Sequence, residues 1–305
     1  MTMKKVLVLY YSQSGQLKQT VDSFIAPLQS SDEITVDYQK IEPVKPYPYP
    51  WPFYTFFDAF PEAVYLDGCP VKALELDDDY DLIILGYTSW FLSPSIPVTG
   101  FLKSEQAKKL FKDKPVVTLI VCRDMWVMAQ EKMKAMLKAV DAKLIDNVVL
   151  TDQGRSLFTF VTTPRWLFTG RKDAFWFFPP AGVLEEEMKN TSRFGERLKT
   201  ALINDEEKQA KPLLQHMGAV SVNGKLVGTE KIATRSFMIW GKLIKKSGKP
   251  GSFGRKITIT IYVLFLLILI FTVVPLNMLI RKLIYPFRKE AIDKSVANYE
   301  QPSGR

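Results

Sequence analysis

Two hydroxyls and a glycine stand in the run Ser12-Gln13-Ser14-Gly15-Gln16-Leu17, which follows an apolar stretch and precedes residues at helical spacing. Such a turn suits a phosphate dianion. Backbone N–H groups at a helix N-terminus point at the anion, and the helix dipole favours negative charge there. A second group, Thr88-Ser89-Trp90-Phe91, places two aromatic faces after another apolar run. A third, Arg123-Asp124-Met125-Trp126, offers a cation for an oxyanion. An anion cradle beside a stacking wall asks for a phosphorylated flat heterocycle. Each group also has a plainer role: Ser14 as a helix N-cap, Trp90 as core, Arg123 as a surface charge and Asp124 as the N-cap of the next helix. Cys122 ends a buried run and reads as packing, and His216 reads as a surface residue. One histidine and two cysteines exclude a multi-histidine metal centre, a four-thiolate zinc site and a disulfide scaffold.

Short apolar runs at 4–11, 34–41, 81–87, 115–122 and 147–151 read as strands. Apolar residues at helical spacing lie between them: Leu17 to Leu28, Trp126 to Val140, and finally Leu184 to Leu202. Strands alternating with helices predict a five-stranded parallel sheet covered on both faces. With strand order 2-1-3-4-5, ligand binds outside the carboxyl ends between the first and third strands. The three groups above would then follow strands one, three and four. The proline- and aromatic-rich stretches 43–61 and 158–180 read as loops or short irregular insertions. They suit a second small core or a dimer contact, and equally an apolar pocket wall or a membrane-resting lip.

The net charge is +9 over 305 residues, but residues 211–305 hold 16 Lys/Arg against 4 Asp/Glu, so the basicity belongs to the tail. A nucleic-acid enzyme would carry it on the folded body. From Ile257 to Leu279 run 23 residues without a charge, which as a helix reach about 35 Å against a hydrocarbon core of about 30 Å. This predicts a membrane segment with the body on the cytoplasmic side of an inner membrane. Lys242, Lys245, Lys246, Lys249, Arg255 and Lys256 precede it, while Arg281, Lys282, Arg288 and Lys289 follow, so charge barely decides orientation. Pro275 and Asn277 could kink the segment, and a re-entrant or in-plane anchor stands beside a full crossing. The expected organisation is a domain at 1–210, a basic connector at 211–256, the membrane helix at 257–279 and a basic tail at 280–305.

The first loop resembles the phosphate loop of flavodoxins, through Ser12, Ser14 and Gly15. The span GYTSWFLSPSIPVTGFL, residues 86–102, is similar to the second flavin loop of flavodoxin-like quinone and flavin oxidoreductases, through Trp90, Pro97, Phe101 and Leu102. The resemblance covers roughly residues 4–203. It implies an α/β flavodoxin-like fold and FMN held by residues 12–17 and 88–91. Leu17 stands where such proteins usually have threonine, Thr88 where proline is common, and Leu92-Ser93 where Gly-Asn is frequent. With the segment KIEPVKPYPYPWPFYTFFDAFPE, the chain further resembles the flavodoxin-like proteins of bacterial dialkylresorcinol pathways, often labelled dialkylresorcinol-condensing enzymes. That likeness implies a membrane-anchored oxidoreductase that aromatises a dialkyl cyclohexanedione supplied by a ketosynthase partner, with Arg123 holding an enolate oxygen and a homodimer as a fold-level expectation. The alternatives are a membrane-tethered NAD(P)H:quinone reductase, a flavodoxin-type electron carrier and a flavin-free scaffold.

Overall fold

The computed structural model describes residues 3–76, 79–152, 154, 156–273 and 289–304. The strands are Lys4–Tyr10 (β1), Ile34–Lys40 (β2), Leu82–Tyr87 (β3), Ser89–Trp90 (β4), Ser93–Pro94 (β5), Pro115–Cys122 (β6) and Lys143–Thr151 (β7). Five of them form one parallel sheet in the order β2-β1-β3-β6-β7. With the two-residue strands β4 and β5 set aside as an antiparallel hairpin, this is the expected 2-1-3-4-5 arrangement of the flavodoxin-like fold. Alternation along the central strands supplies both faces. Val6, Val8, Leu82, Ile84, Val117 and Leu119 pack on one side, and Leu7, Leu9, Ile83, Leu85, Val116 and Ile120 on the other.

The α-helices are Gln16–Gln29 (α1), Phe53–Asp58 (α2), Phe60–Val64 (α3), Ile96–Leu102 (α4), Glu105–Phe111 (α5), Val127–Ala139 (α6), Ser156–Thr169 (α7), Glu185–Lys189 (α8), Ser192–Ile203 (α9), Gly224–Lys246 (α10) and Phe253–Ile268 (α11). Helices α1 and α9 cover the first face so closely that a Cβ on Gly195 would stand 2.0 Å from the Phe24 carbonyl oxygen. Helices α4, α5 and α6 contribute to the second. Beneath α6, Tyr87 donates to Gln130, which donates to Thr118, which donates to Asn147, linking α6 to the sheet through a buried polar chain.

The outer edge of β7 is covered rather than exposed. Val149 N–H donates to the Ala219 carbonyl, and buried Asp146 accepts from Leu213 N (2.7 Å), Leu214 N (3.1 Å) and Ser303 Oγ (2.8 Å). Residues 289–300 are helical, and Val296 and Tyr299 pack on the second face. The basic stretch 211–256 thus contains a packed edge cover and the 23-residue α10.

The two aromatic insertions differ from the expected loops. Residues 53–58 and 60–64 form the short helices α2 and α3, and 156–169 form α7 with Pro164 inside it. Packing overrides the proline: Leu167 and Phe168 join Trp51, Ala59, Ala63 and Ile96 in a separate apolar cluster. These stretches thus form a small apolar core of their own. The apolar tail helix begins earlier than Ile257, at Phe253, and runs into a π turn at Leu269–Val273. Pro275, Asn277, Arg281, Lys282 and Arg288, together with the end of the apolar segment, lie outside the described residues.

Helix α6 is capped from a distance. Glu230 of α10, buried, accepts from Met128 N at 2.8 Å, in the first turn of α6. Removal from water outweighs this bond, and burial pushes its carboxyl up to about 7. An unfolded glutamate titrates near 4.3, so the folded state binds this proton more readily. The resulting stability is fully present below about pH 4.3 and is lost as pH rises toward 7, a difference on the order of 3 kcal/mol. Glu230→Gln keeps the accepting oxygen and removes the titration. It is expected to be more stable than wild type at pH 8 and to lose that advantage at pH 4.5, measured by urea unfolding at both values. A gap independent of pH would refute the assignment.

Candidate functional site

The loops after β1, β3 and β6 come together at the carboxyl edge of the sheet. Gly15 has φ +88°, precedes the first residue of α1, and has open space in front of it: an added Cβ would meet nothing within 4 Å. The residue at the N-cap position is Gly15, so the expected N-cap role of Ser14 is not taken up, and Ser14 is exposed. Ser12 Oγ accepts from Lys18 N at 3.2 Å. An open amide terminus flanked by two hydroxyls fits a phosphate dianion.

Two residues of the loop turn their side chains into the fold. Leu17 is buried in the core against β1 and β3. The Gln16 amide is spent on Val183, accepting from its N–H (3.1 Å) and donating to its carbonyl (2.9 Å). Both side chains, at the first two positions of α1, thus face the fold.

Gln13 has a different task. It donates to the Pro48 carbonyl (2.7 Å) and accepts from Trp51 Nε1 (2.9 Å), fastening the first insertion to the phosphate loop. Trp51 in turn meets Trp90 edge-on at 5.4 Å, and Tyr47 and Tyr11 do so at 5.2 and 5.8 Å. Half-buried Trp90 is therefore framed by three rings, and the first insertion forms a wall of the site. Sequence reasoning missed Tyr11, Tyr47 and Trp51; the aromatic density of 43–61 was the signal, but nothing local says which way that stretch folds. Gln13→Ala removes both bonds and is expected to cost about 1–2 kcal/mol. An unchanged Tm would show that the fastening carries no weight.

The hairpin that presents Trp90 is strained. Phe91 and Leu92, its two connecting residues, have φ of +51° and +58°, a region that favours glycine or asparagine. Packing holds them there. Phe91 lies against Phe56 (4.7 Å) and Phe60 (5.1 Å), and Leu92 is buried. Phe91 thus belongs to the contact with α2 and α3, which corrects its expected role as a second stacking face. Lys132 of α6 ties the hairpin down by donating to Ser93 Oγ (2.7 Å), and burial pushes its amine down to about 8. Thr88 and Ser89 are half-buried beside Trp90, and the Thr88 carbonyl accepts from Ser95 N–H.

In the third loop, Arg123 donates from Nε to Thr159 Oγ1 (2.8 Å), and its guanidinium lies 4.2 Å from the centre of the Phe160 ring. Burial lowers its pKa from the ordinary arginine value. It is not a solvated surface charge. Asp124 accepts from Met125 N–H within the loop and does not take the N-cap role expected from sequence, while Trp126 is buried on the apolar side of α6. Burial pushes the Cys122 thiol up, as packing rather than thiolate chemistry requires. His216 is exposed.

No protein-family profile matches the chain, and no curated protein matches it. Solved structures do. A flavoprotein from Lactobacillus acidophilus, in complex with FMN, is similar over 48% of this chain and 93% of its own, with 18% identity and a TM-score of 0.39. Flavodoxin 1 from Bacillus cereus is similar over 66% of this chain and 98% of its own, with 15% identity and a TM-score of 0.35. A WrbA-like flavodoxin from Agrobacterium tumefaciens covers the same shares, with 11% identity and a TM-score of 0.35. The fold itself is defined by the strand order.

Proposed function

We propose that the chain binds FMN at the carboxyl edge of its sheet and acts as a flavin-dependent oxidoreductase on an apolar ring. The reaction it suits best is aromatisation of a dialkyl cyclohexanedione to a dialkylresorcinol. One observation carries this reading: an α1 terminus with open space in front of Gly15 and with exposed Ser14 shares its edge with half-buried Trp90 and the rings around it. Ser12, Ser14 and the backbone of residues 13–17 would hold the phosphate, and Thr88, Ser89 and Trp90 the flavin ring.

When bound, the flavin supplies an acceptor for the two electrons that leave the ring along with two protons. The chain's own part is to orient the substrate and exclude water. A 1,3-dione is already a carbon acid, so a cation that holds its enolate oxygen serves better than a strong base. Arg123 suits this task, because among the described residues its terminal nitrogens make no hydrogen bond. Tyr47, Trp51 and Phe56 supply an apolar wall, and exposed Phe53 and Tyr54 lead from it toward α11. Each buried CH₂ of an alkyl chain contributes about 0.8 kcal/mol along such a path. A ketosynthase-type partner would supply the dione, at the cytoplasmic face of an inner membrane.

The full-length protein, purified in detergent, is expected to show flavin absorption bands or to gain them on adding FMN. A colourless preparation that takes up no FMN would leave only a scaffold role. Anaerobic stopped-flow absorbance then reads the reaction: a dialkyl cyclohexanedione is expected to bleach the flavin. Bleaching by NAD(P)H alone would replace this reading with a quinone reductase, and no bleaching by either would point to an electron carrier.

A further inference from the structure

Helix α11 has two apolar faces with different neighbours. Arg255, Ile259 and Tyr262 are buried against the body, with Leu266 packed beside them. Arg255 pairs with Asp58 and Glu62, each at 2.6 Å, and Tyr262 stacks on Phe60 at 4.6 Å. On the other side Phe253, Ile257, Ile261, Leu264, Ile268 and Phe271 recur every three or four residues, all exposed. A stripe of six large apolar side chains facing water is unstable unless something covers it.

The chain beyond the helix returns to the body. Ser303 Oγ accepts from Asn147 N–H and donates to Asp146, Glu300 accepts from Val222 N–H (3.3 Å), and Lys231 lies over the Tyr299 ring. Residues 289–304 therefore occupy the same side as the body, and Ser252, before the helix, does too. A single crossing would place these two flanks in different aqueous compartments and break every one of those contacts. Near its start α11 is also held by Arg255 to the charged Asp58 and Glu62, which do not enter hydrocarbon.

We propose that the protein is monotopic: the outer face and distal half of α11 enter one leaflet of an anionic bilayer, and both flanks stay in the aqueous phase of the body. Charge complementarity selects the lipid. Lys242, Lys246, Lys249 and Lys256 are exposed around the foot of the helix, where they meet anionic head groups. Arg255 and Lys245 do not count toward this belt, since Arg255 is buried on its carboxylates and Lys245 pairs with Asp67. The proposal stands whether or not FMN binds.

The test uses the wild-type chain added to sealed vesicles of phosphatidylcholine with phosphatidylglycerol. The protein is expected to float with these vesicles and much less with phosphatidylcholine alone. An impermeant amine-reactive reagent outside the vesicles, read by peptide mass spectrometry, is expected to label the tail residues Lys289 and Lys294 as fully as the body residues Lys112 and Lys208. Tail labelling that appears only after detergent would establish a crossing and overturn the proposal, and failure to float with either vesicle would overturn it as well. Replacing Lys246, Lys249 and Lys256 by Gln is expected to weaken partitioning by about fivefold per charge. Unchanged partitioning would remove the anionic lipid from the assignment. Flavin absorbance of the floated fraction separates this outcome from the cofactor reading.

Discussion

Ser14→Glu is expected to lower FMN affinity by about 100-fold while leaving Tm unchanged. The Ser14 side chain is exposed and makes no cap to α1, so the fold loses nothing when it is replaced. A carboxylate at that place would stand beside the phosphate dianion. Two like charges about 4 Å apart cost about 4 kcal/mol at an effective dielectric of 20, and exposure at the loop reduces this to roughly 3 kcal/mol, the equivalent of about 100-fold. Titration followed by quenching of FMN fluorescence measures the affinity, and thermal unfolding without FMN supplies the control. Ser14→Ala, which removes one hydroxyl and adds no charge, is expected to lose about tenfold. If Ser14→Glu bound FMN as wild type does, the phosphate would lie elsewhere and the proposed site would be wrong.

Arg255→Ala is expected to destabilise the protein by about 3–5 kcal/mol, the loss typical of breaking a buried ion pair from one side. The guanidinium is the hub of the α2–α3–α11 contact: it bridges Asp58 and Glu62 and also donates to the Asp58 carbonyl. Removing it leaves two partly buried carboxylates facing each other without a cation. In a chain of this size the Tm falls by roughly 6–10 °C. Arg255→Lys is expected to recover only part of this, because an ammonium cannot present the planar fork that reaches two carboxylates at once. Thermal unfolding in detergent of the wild type and the two variants decides the matter. Equal stability of Arg255→Ala and wild type would mean that α11 is not seated on the body, and the monotopic arrangement would lose its support along with it.

The two predictions probe opposite ends of one aromatic layer. Trp51 links Gln13 on the phosphate loop to Phe56 of α2, and Phe57 and Phe60 pass the contact on to Tyr262 of α11. The rings around Trp90 and helix α11 are thus joined by packed rings. An alkyl substrate drawn from a leaflet would meet apolar surface along this route.

The strands, their order of use and the three loops at their carboxyl ends were legible because buried parallel strands are continuous apolar runs and the topology assigns their loops to one edge. Gly15 was legible for a related reason: its role depends on backbone freedom, which residue type alone specifies. Side-chain direction was not legible. Gln16 and Leu17 face Val183 and the core, and Phe91 faces α2 and α3, because partners distant in the chain claim those side chains. Helix α7 was missed since proline and aromatic composition argue for a loop locally, whereas contacts with the Trp51 cluster stabilise the helix. The apolar character of the tail is a property of the sequence alone. That the chain on both sides of it stays with the body is decided by Arg255, Glu300 and Ser303, whose partners lie between 78 and 197 residues away and become neighbours only when the sheet is assembled.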